Sequence, residues 1–209
     1  MTPQKRALDL ILAIPAAILG LPLIGLIALI LLIREGRPIL YVSERMKTAD
    51  QGFALYKFRT MKVAAPGANT GVTGGDKSDR MSPFHRALRR ARLDELPQIW
   101  NVIRGDMSLV GPRPPLRIYV DDHPEIYREV LKCRPGVTGL ASLHFHRHEE
   151  MLLKSCTTAE ETDAVYRRRC IPRKARLDLI YRANQSVCGD ILLIWRTAAG
   201  VLVPRRRRP

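Results

Sequence analysis

The sequence predicts an α+β, mainly helical fold built around one membrane-inserted helix. Three observations lead there. Residues 10–33 hold 24 positions without a single charge. Two short strand-like runs, 39–42 and 53–56, flank a polar segment containing Gly52. Downstream, apolar residues recur at helical spacing, as in Leu93, Leu96, Ile99 and Trp100. The expected organisation is a membrane-inserted re-entrant helix (1–36) broken near Pro22, a cytosolic domain (37–189) with a small β-hairpin and several helices, and an interfacial amphipathic helix with a polybasic tail (190–209).

Composition narrows the classes. The chain has 209 residues, is 46% hydrophobic and 26% charged, and so is no disordered polyelectrolyte. Its formal net charge is +15, from 35 Lys+Arg against 20 Asp+Glu. That excess implies an anionic partner: nucleic acid, an acidic membrane surface or a phosphorylated substrate. Cys133, Cys156, Cys170 and Cys188 lack CxxC spacing, which argues against structural zinc and for reduced thiols.

The uncharged run is about 36 Å long as a helix, enough to cross a hydrocarbon core of about 30 Å. It is too long for a cleavable signal, and no small-x-small site follows it. Lys5 and Arg6 precede it and Arg34 and Arg37 follow it, so the positive-inside rule gives no orientation. Pro15 and Pro22 lie within it, and each removes a helix hydrogen bond. A break near Pro22 would return both basic ends to one face. No long membrane domain precedes the run, which suggests a minimal form.

The two strand-like runs suit a hairpin, and Lys57-Phe58-Arg59 puts two cations at its end. That triplet suits an ordinary strand edge and also a phosphate. Residues 64–79, rich in Gly, Ala, Thr and Asp, read as a loop or lid and lack the GK[ST] ending of a P-loop. Ser82-Pro83 is a helix start, with Ser82 as N-cap and Pro83 at the first helical position. Pro97 should interrupt that helix or begin another piece. Gly111-Pro112-Arg113-Pro114 is a stiff turn that fixes one arginine, reducing the entropy lost on gripping a phosphate; it also reads as a plain linker. Arg134-Pro135-Gly136 is a second such turn. His144, His146 and His148 alternate as on a strand face, and a surface cluster is preferred to a metal site. Residues 190–203 are apolar around Arg196, with Trp195 suited to headgroup depth and Arg205 to Arg208 suited to anionic lipid.

The focus is Arg89-Arg90-Ala91-Arg92-Leu93-Asp94-Glu95-Leu96-Pro97-Gln98. On a helix, Asp94 and Glu95 point about 100° apart and can line two walls of one pocket. Neighbouring guanidiniums should keep such carboxylates ionised, and so usable as nucleophile or metal ligand. A solvated helix turn with local ion pairs fits these residues equally well.

Together the segments resemble the bacterial sugar transferases, monotopic phosphoglycosyl transferases that act on polyprenyl phosphate. The resemblance rests on Lys5-Arg6-x-x-Asp9, Tyr56-Lys57-Phe58-Arg59-Thr60-Met61, Arg92-Leu93-Asp94-Glu95-Leu96-Pro97-Gln98, Asn101-Val102 with Gly105-Asp106-Met107-Ser108, Val110-Gly111-Pro112-Arg113-Pro114 and Arg134-Pro135-Gly136-Val137-Thr138-Gly139, in that order. It implies transfer of a sugar 1-phosphate from a nucleotide diphosphate sugar, expected to be a UDP-sugar, to undecaprenyl phosphate. Asp94 would be the nucleophile, giving a covalent phosphosugar intermediate. Asp94 and Glu95 would hold Mg²⁺. Lys57, Arg59, Arg89 and Arg113 would bind phosphates. The implied setting is the cytoplasmic face of a bacterial inner membrane, with membrane lipids as partners, no nucleic acid, and a homo-oligomer left open. Two departures stand out. Leu21-Pro22 replaces the usual Ser-Pro, and Leu140-Ala141-Ser142-Leu143-His144-Phe145-His146 replaces the usual sequence after Thr138-Gly139. A non-enzymatic basic membrane-surface protein is the alternative, and it needs neither Asp94 nor metal.

Overall fold

The computed structural model describes residues 1–61 and 80–202, with only the backbone of Val201 and Leu202. The expected loop at 64–79 and the basic tail at 205–208 lie outside the described residues. Helix α1 (Pro3–Glu35) starts with Thr2 as N-cap, its hydroxyl accepting from Lys5 N, and runs through Pro15 and Pro22 to Gly36. The expected division at Pro22 is therefore corrected: the element is one continuous helix. Proline forfeits one N–H, and the bonds on either side carry the helix through it.

The N-terminal third of α1 is latched inward. Arg6 donates to the carbonyls of Val102 (2.7 Å) and Ile103 (2.6 Å). The Asp9 carboxylate accepts from Ser108 Oγ and Leu109 N, both at 3.0 Å. Ala13 packs with Phe53, Leu55, Val102 and Met107. Further on, Ile27 and Leu31 pack with Phe58 and Leu88. Between these anchors Ile14, Ile18, Leu19, Leu21, Leu23 and Leu26 are exposed. Both ends of α1 thus sit on one body, with bare apolar surface between.

The expected hairpin is present. Strands β1 (Leu40–Met46) and β2 (Gly52–Phe58) pair antiparallel, with Leu40 opposite Phe58 and Met46 opposite Gly52. Helix α2 (Pro83–Arg90) begins on Ser82 as expected, in a capping box closed by His85. A 3₁₀ turn (Leu93–Glu95) and α3 (Gln98–Arg104) follow, with Pro97 capping α3. Asn101 fixes α3 to β2: its side chain accepts from Tyr56 N (3.2 Å) and donates to Ala54 O (2.7 Å).

The sequence reading missed a second, parallel pair, β3 (Ser108–Val110) and β4 (Gly136–Thr138). Three residues per strand are too few to show periodicity. Here the two Pro-Gly turns meet backbone to backbone. Gly111 N donates to Thr138 O and Gly136 N to Pro112 O, both at 2.8 Å. A Cβ on Gly111 would lie 2.2 Å from Arg134 O, and one on Gly136 2.1 Å from Gly111 N. Only glycine permits this approach, and it fixes where Arg113 emerges.

Helices α4 (Arg117–Asp122), α5 (Pro124–Val130), α6 (Leu140–Lys154), α7 (Ala159–Val165) and α8 (Ile171–Ala183) complete the body around Tyr119, Tyr127, Phe145, Tyr166 and Ile171. A π-helical turn (Tyr166–Cys170) joins α7 to α8. The three histidines lie on α6, correcting the strand reading: Ala141, Phe145 and Leu153, at multiples of four residues, form the buried side of a helix and outweigh the alternation. Helix α9 (Val187–Leu202) buries Asp190 and Leu193 and exposes Ile191, Leu192 and Trp195.

Asp178 on α8 is buried, and its Oδ1 has no hydrogen-bond partner. Burial pushes its pKa up to about 7 against the pull of Lys174. The folded chain therefore holds this proton to a higher pH than the unfolded chain does. The associated stability is complete below about pH 4 and is lost as pH rises through 7. Asp178→Asn should remove that loss: thermal unfolding across pH 4–8 should show a variant increasingly favoured toward pH 7, by up to about 4 kcal/mol. A pH-independent difference would refute this.

Candidate active site

The site forms where β2, the 3₁₀ turn and the turn after β3 converge. Arg92, just before the 3₁₀ turn, has φ 55, a left-handed conformation that ends the run from α2 and re-aims the chain. The two acids therefore lie on a separate tight turn, not on a continuing α-helix as expected. Glu95 is held by three cations: Arg113 Nη2 at 2.7 Å, Lys57 Nζ at 3.0 Å and Arg92 Nη1 at 3.5 Å. Burial alone would raise its pKa, but Arg113 and Lys57 prevail and hold it well below the usual carboxylate range. Lys57 is pushed down to about 8 by burial and by Arg113, against the pull of Glu95. Behind this cluster lies a cavity of about 20 Å³ lined by Arg45, Leu55, Lys57, Gln98, Arg113 and Pro114, about the size of one water.

Asp94 is different. It is buried, and among the described residues its carboxylate makes no hydrogen bond or ion pair. Its pKa is raised, first by burial and then by the Glu95 charge, against Lys57, Arg89 and Arg113. The surrounding cations do favour its ionised form, as expected, but burial and the Glu95 charge outweigh them in the direction of the shift. The nearest cations are committed to Glu95 or, for Arg89, to Thr60 Oγ1 (3.0 Å) and Met81 Sδ (3.3 Å).

Lys57, Arg89 and Arg113 are thus brought together with both carboxylates. Arg59 is not. Its guanidinium donates to the carbonyls of Glu35 (2.9 Å), Gly36 (3.1 Å) and Arg37 (3.5 Å) at the end of α1. Alternation along β2 sends Lys57 and Arg59 toward the same side, yet the strand ends at Phe58 and the chain turns away. Sequence reasoning assigned no role to Arg45 or Gln98. Arg92 stood in a motif, but its left-handed backbone left no sign in the sequence.

Among the described residues no three His, Cys, Asp or Glu side chains gather as metal ligands. The donor set still fits Mg²⁺, which is commonly bound through one or two carboxylates and completed by water and phosphate oxygens. The buried Asp94 carboxylate, which makes no ion pair among the described residues, is the observation that favours a cation there.

The family model for bacterial sugar transferases matches residues 1–204. The chain is 30% identical over 205 residues to the Aeromonas hydrophila UDP-N-acetylgalactosamine-undecaprenyl-phosphate N-acetylgalactosaminephosphotransferase, covering 95% of this chain and 43% of that relative. It is 33% identical over 204 residues to the Caulobacter vibrioides UDP-glucose:undecaprenyl-phosphate glucose-1-phosphate transferase, covering 95% of this chain and 70% of that one. The Escherichia coli enzyme of the same name is 34% identical over 201 residues, 92% of this chain and 39% of that one. The chain therefore spans less than half the length of two of these relatives. With the family model matching nearly its whole length, the chain belongs to the bacterial sugar transferase family.

Proposed function

We propose that this protein transfers a sugar 1-phosphate from a UDP-sugar to undecaprenyl phosphate on the cytoplasmic face of a bacterial inner membrane, initiating glycoconjugate or exopolysaccharide synthesis. The observation that carries the reading is the contrast within one turn. Glu95 is clamped and ionised, while Asp94 is buried and, among the described residues, makes no hydrogen bond or ion pair. The relatives' names support the substrate classes.

In this reading Asp94 attacks the β-phosphorus of the donor. A P–O bond forms, the bridging P–O bond to the α-phosphate breaks, and nucleoside monophosphate leaves. An oxygen of the lipid phosphate then attacks the same phosphorus and restores Asp94. Lys57, Arg89 and Arg113 orient the phosphates and offset their charge. Glu95 keeps Lys57 and Arg113 in place, and together with Asp94 it would hold Mg²⁺. When bound, the metal supplies Lewis-acid stabilisation of phosphate charge. Burial of Asp94 keeps water from competing with the lipid.

Membrane attachment follows the same reading. Helix α1 lies in one leaflet with its exposed apolar side and keeps both ends at the same face, because both of its ends pack on the cytosolic body. The exposed Ile191, Leu192 and Trp195 of α9 lie in the interface.

Purified protein should release UMP from one member of a UDP-sugar panel, with undecaprenyl phosphate sustaining turnover. Excess chelator should suppress release at least 100-fold and Mg²⁺ restore it. Glu95→Gln should lower both rate and metal dependence. Full activity in chelator would exclude the metal role, and no release with any donor would overturn the transferase reading.

A further inference from the structure

Helix α6 rises beside the turn that carries Arg113. Gly111 N donates to Thr138 O at 2.8 Å. Arg113 lies two residues beyond Gly111, and α6 begins two residues beyond Thr138. The polar residues of α6 divide into two sets. His148 Nε2 lies 2.8 Å from Arg173 Nη1, and Glu149 accepts from Lys174 at 3.0 and 3.2 Å, so both are tied to α8. His146 and Glu150, four residues apart, share another face. Nε2 of the first lies 3.5 Å from Oε1 of the second, and the two side chains are 48% and 67% exposed. Among the described residues Glu150 has no other ion pair or hydrogen bond. Burial lowers the pKa of His146; Glu150 opposes this, the charges of Arg92 and Arg113 add to it, and Glu149 opposes it. Glu149 in turn acts on Arg113. Arg92 and Arg113 are cations that hold Glu95, so this face of α6 lies within electrostatic reach of the catalytic turn. Leu140 to His146 is also the stretch that departs from the usual family sequence.

We propose that His146 and Glu150 bind the hydroxyls of the donor's sugar ring and set which sugar is transferred. This deepens the transferase reading and rests on it for the transfer step. The charge pattern selects the ligand. A carboxylate repels phosphate, so Glu150 is no further phosphate ligand. A neutral imidazole offers one donor and one acceptor, and a carboxylate only accepts. Together they suit a ring with neighbouring hydroxyls, which both donate and accept. The sugar is bonded to the phosphorus that Asp94 attacks, so its hydroxyls lie within a ring's length of that centre. The exposed pair leaves room for such a ring, whereas the cavity behind Glu95, about 20 Å³, has room for one water. The pair also leaves Lys57, Arg89 and Arg113 to the phosphates.

The test uses the full chain in phosphatidylcholine nanodiscs with Asp94→Asn, so that donor binds without reacting. Calorimetric titration in Mg²⁺ compares UDP-glucose, UDP-galactose, UDP-N-acetylglucosamine and UDP-N-acetylgalactosamine. These keep the nucleotide constant and vary the hydroxyl at C4 and the substituent at C2. Their affinities should spread at least tenfold. Adding His146→Ala/Glu150→Ala should shrink the spread to threefold or less and leave affinity for UDP within twofold. Both side chains are exposed, so thermal unfolding should not change. An equal loss for all four sugars would make the pair a structural support. A matching loss of UDP affinity would make it a nucleotide contact. Either result, an unchanged spread, or a parent that binds the four sugars alike, overturns the proposal. This arm needs no turnover: discrimination among sugars without UMP release by the Asp94 protein would sink the transferase reading and leave the proposal standing. With Asp94 intact, the double variant should lower the ratio of kcat/KM between the best and poorest donors at least threefold. Turnover with that ratio unchanged would sink the proposal alone.

Discussion

Replacing Asp94 with Asn should abolish transfer, by at least 1,000-fold, while the protein stays folded. An amide oxygen is a far weaker nucleophile of nearly the same size. The substitution also removes a buried carboxyl that has no hydrogen-bond partner among the described residues, so thermal stability should hold or rise. If Asp94 attacks phosphorus, the donor reacts before the lipid, and the kinetics are ping-pong. Donor alone should then release UMP in a burst equal to the enzyme present. Mass spectrometry of enzyme incubated with donor and no lipid should find a sugar-phosphate adduct on the peptide containing Asp94. An adduct on Glu95, or none while turnover runs through a ternary complex, would overturn the assignment. The structure makes Glu95 the poorer nucleophile, since Arg113 and Lys57 occupy its Oε1 and lower its basicity.

The sequence carried the parts of the fold that follow from local rules. Ser82-Pro83 announces α2, the two β-rich runs announce the hairpin, and 24 uncharged positions announce α1. It did not carry what depends on distant partners. The β3–β4 pair joins residues 28 apart through three-residue strands and shows itself only in its glycines. The histidine alternation on α6 misled because a period of two over five residues also fits a helix surface. At the site, Asp94, Glu95, Lys57, Arg89 and Arg113 were all legible from their motifs and do converge. Their electrostatics were not. Counting arginines near Asp94 predicts a lowered pKa, but the structure commits those arginines to other partners and burial sets the direction of the shift. Arg59 stood within the same motif as Lys57, yet the end of β2 carries it to another corner.

Replacing Lys5 with Met should destabilise the protein by roughly 3–5 kcal/mol, the usual cost of stranding a buried charge. In the sequence Lys5 and Arg6 read as a basic flank that would face the cytoplasm. Both instead turn inward. Lys5 is 3% exposed, with its Nζ 2.5 Å from Asp190 Oδ2, itself on a residue 1% exposed. Tyr181 completes the knot by donating to Asp190 Oδ1 at 2.7 Å and accepting from Lys5 at 3.2 Å. One residue near the start of α1 thus ties it to α8 and α9, 176 and 185 positions away. Without Lys5, the Asp190 carboxylate is buried with only a tyrosine hydroxyl for support. The double variant Lys5→Met/Asp190→Leu removes both charges and should recover most of the loss, because an apolar pair of similar volume needs no compensation. Thermal unfolding of wild type, single and double variants in one detergent separates the terms. A double variant no more stable than Lys5→Met would mean that the packing of α1, not the stranded charge, sets the cost.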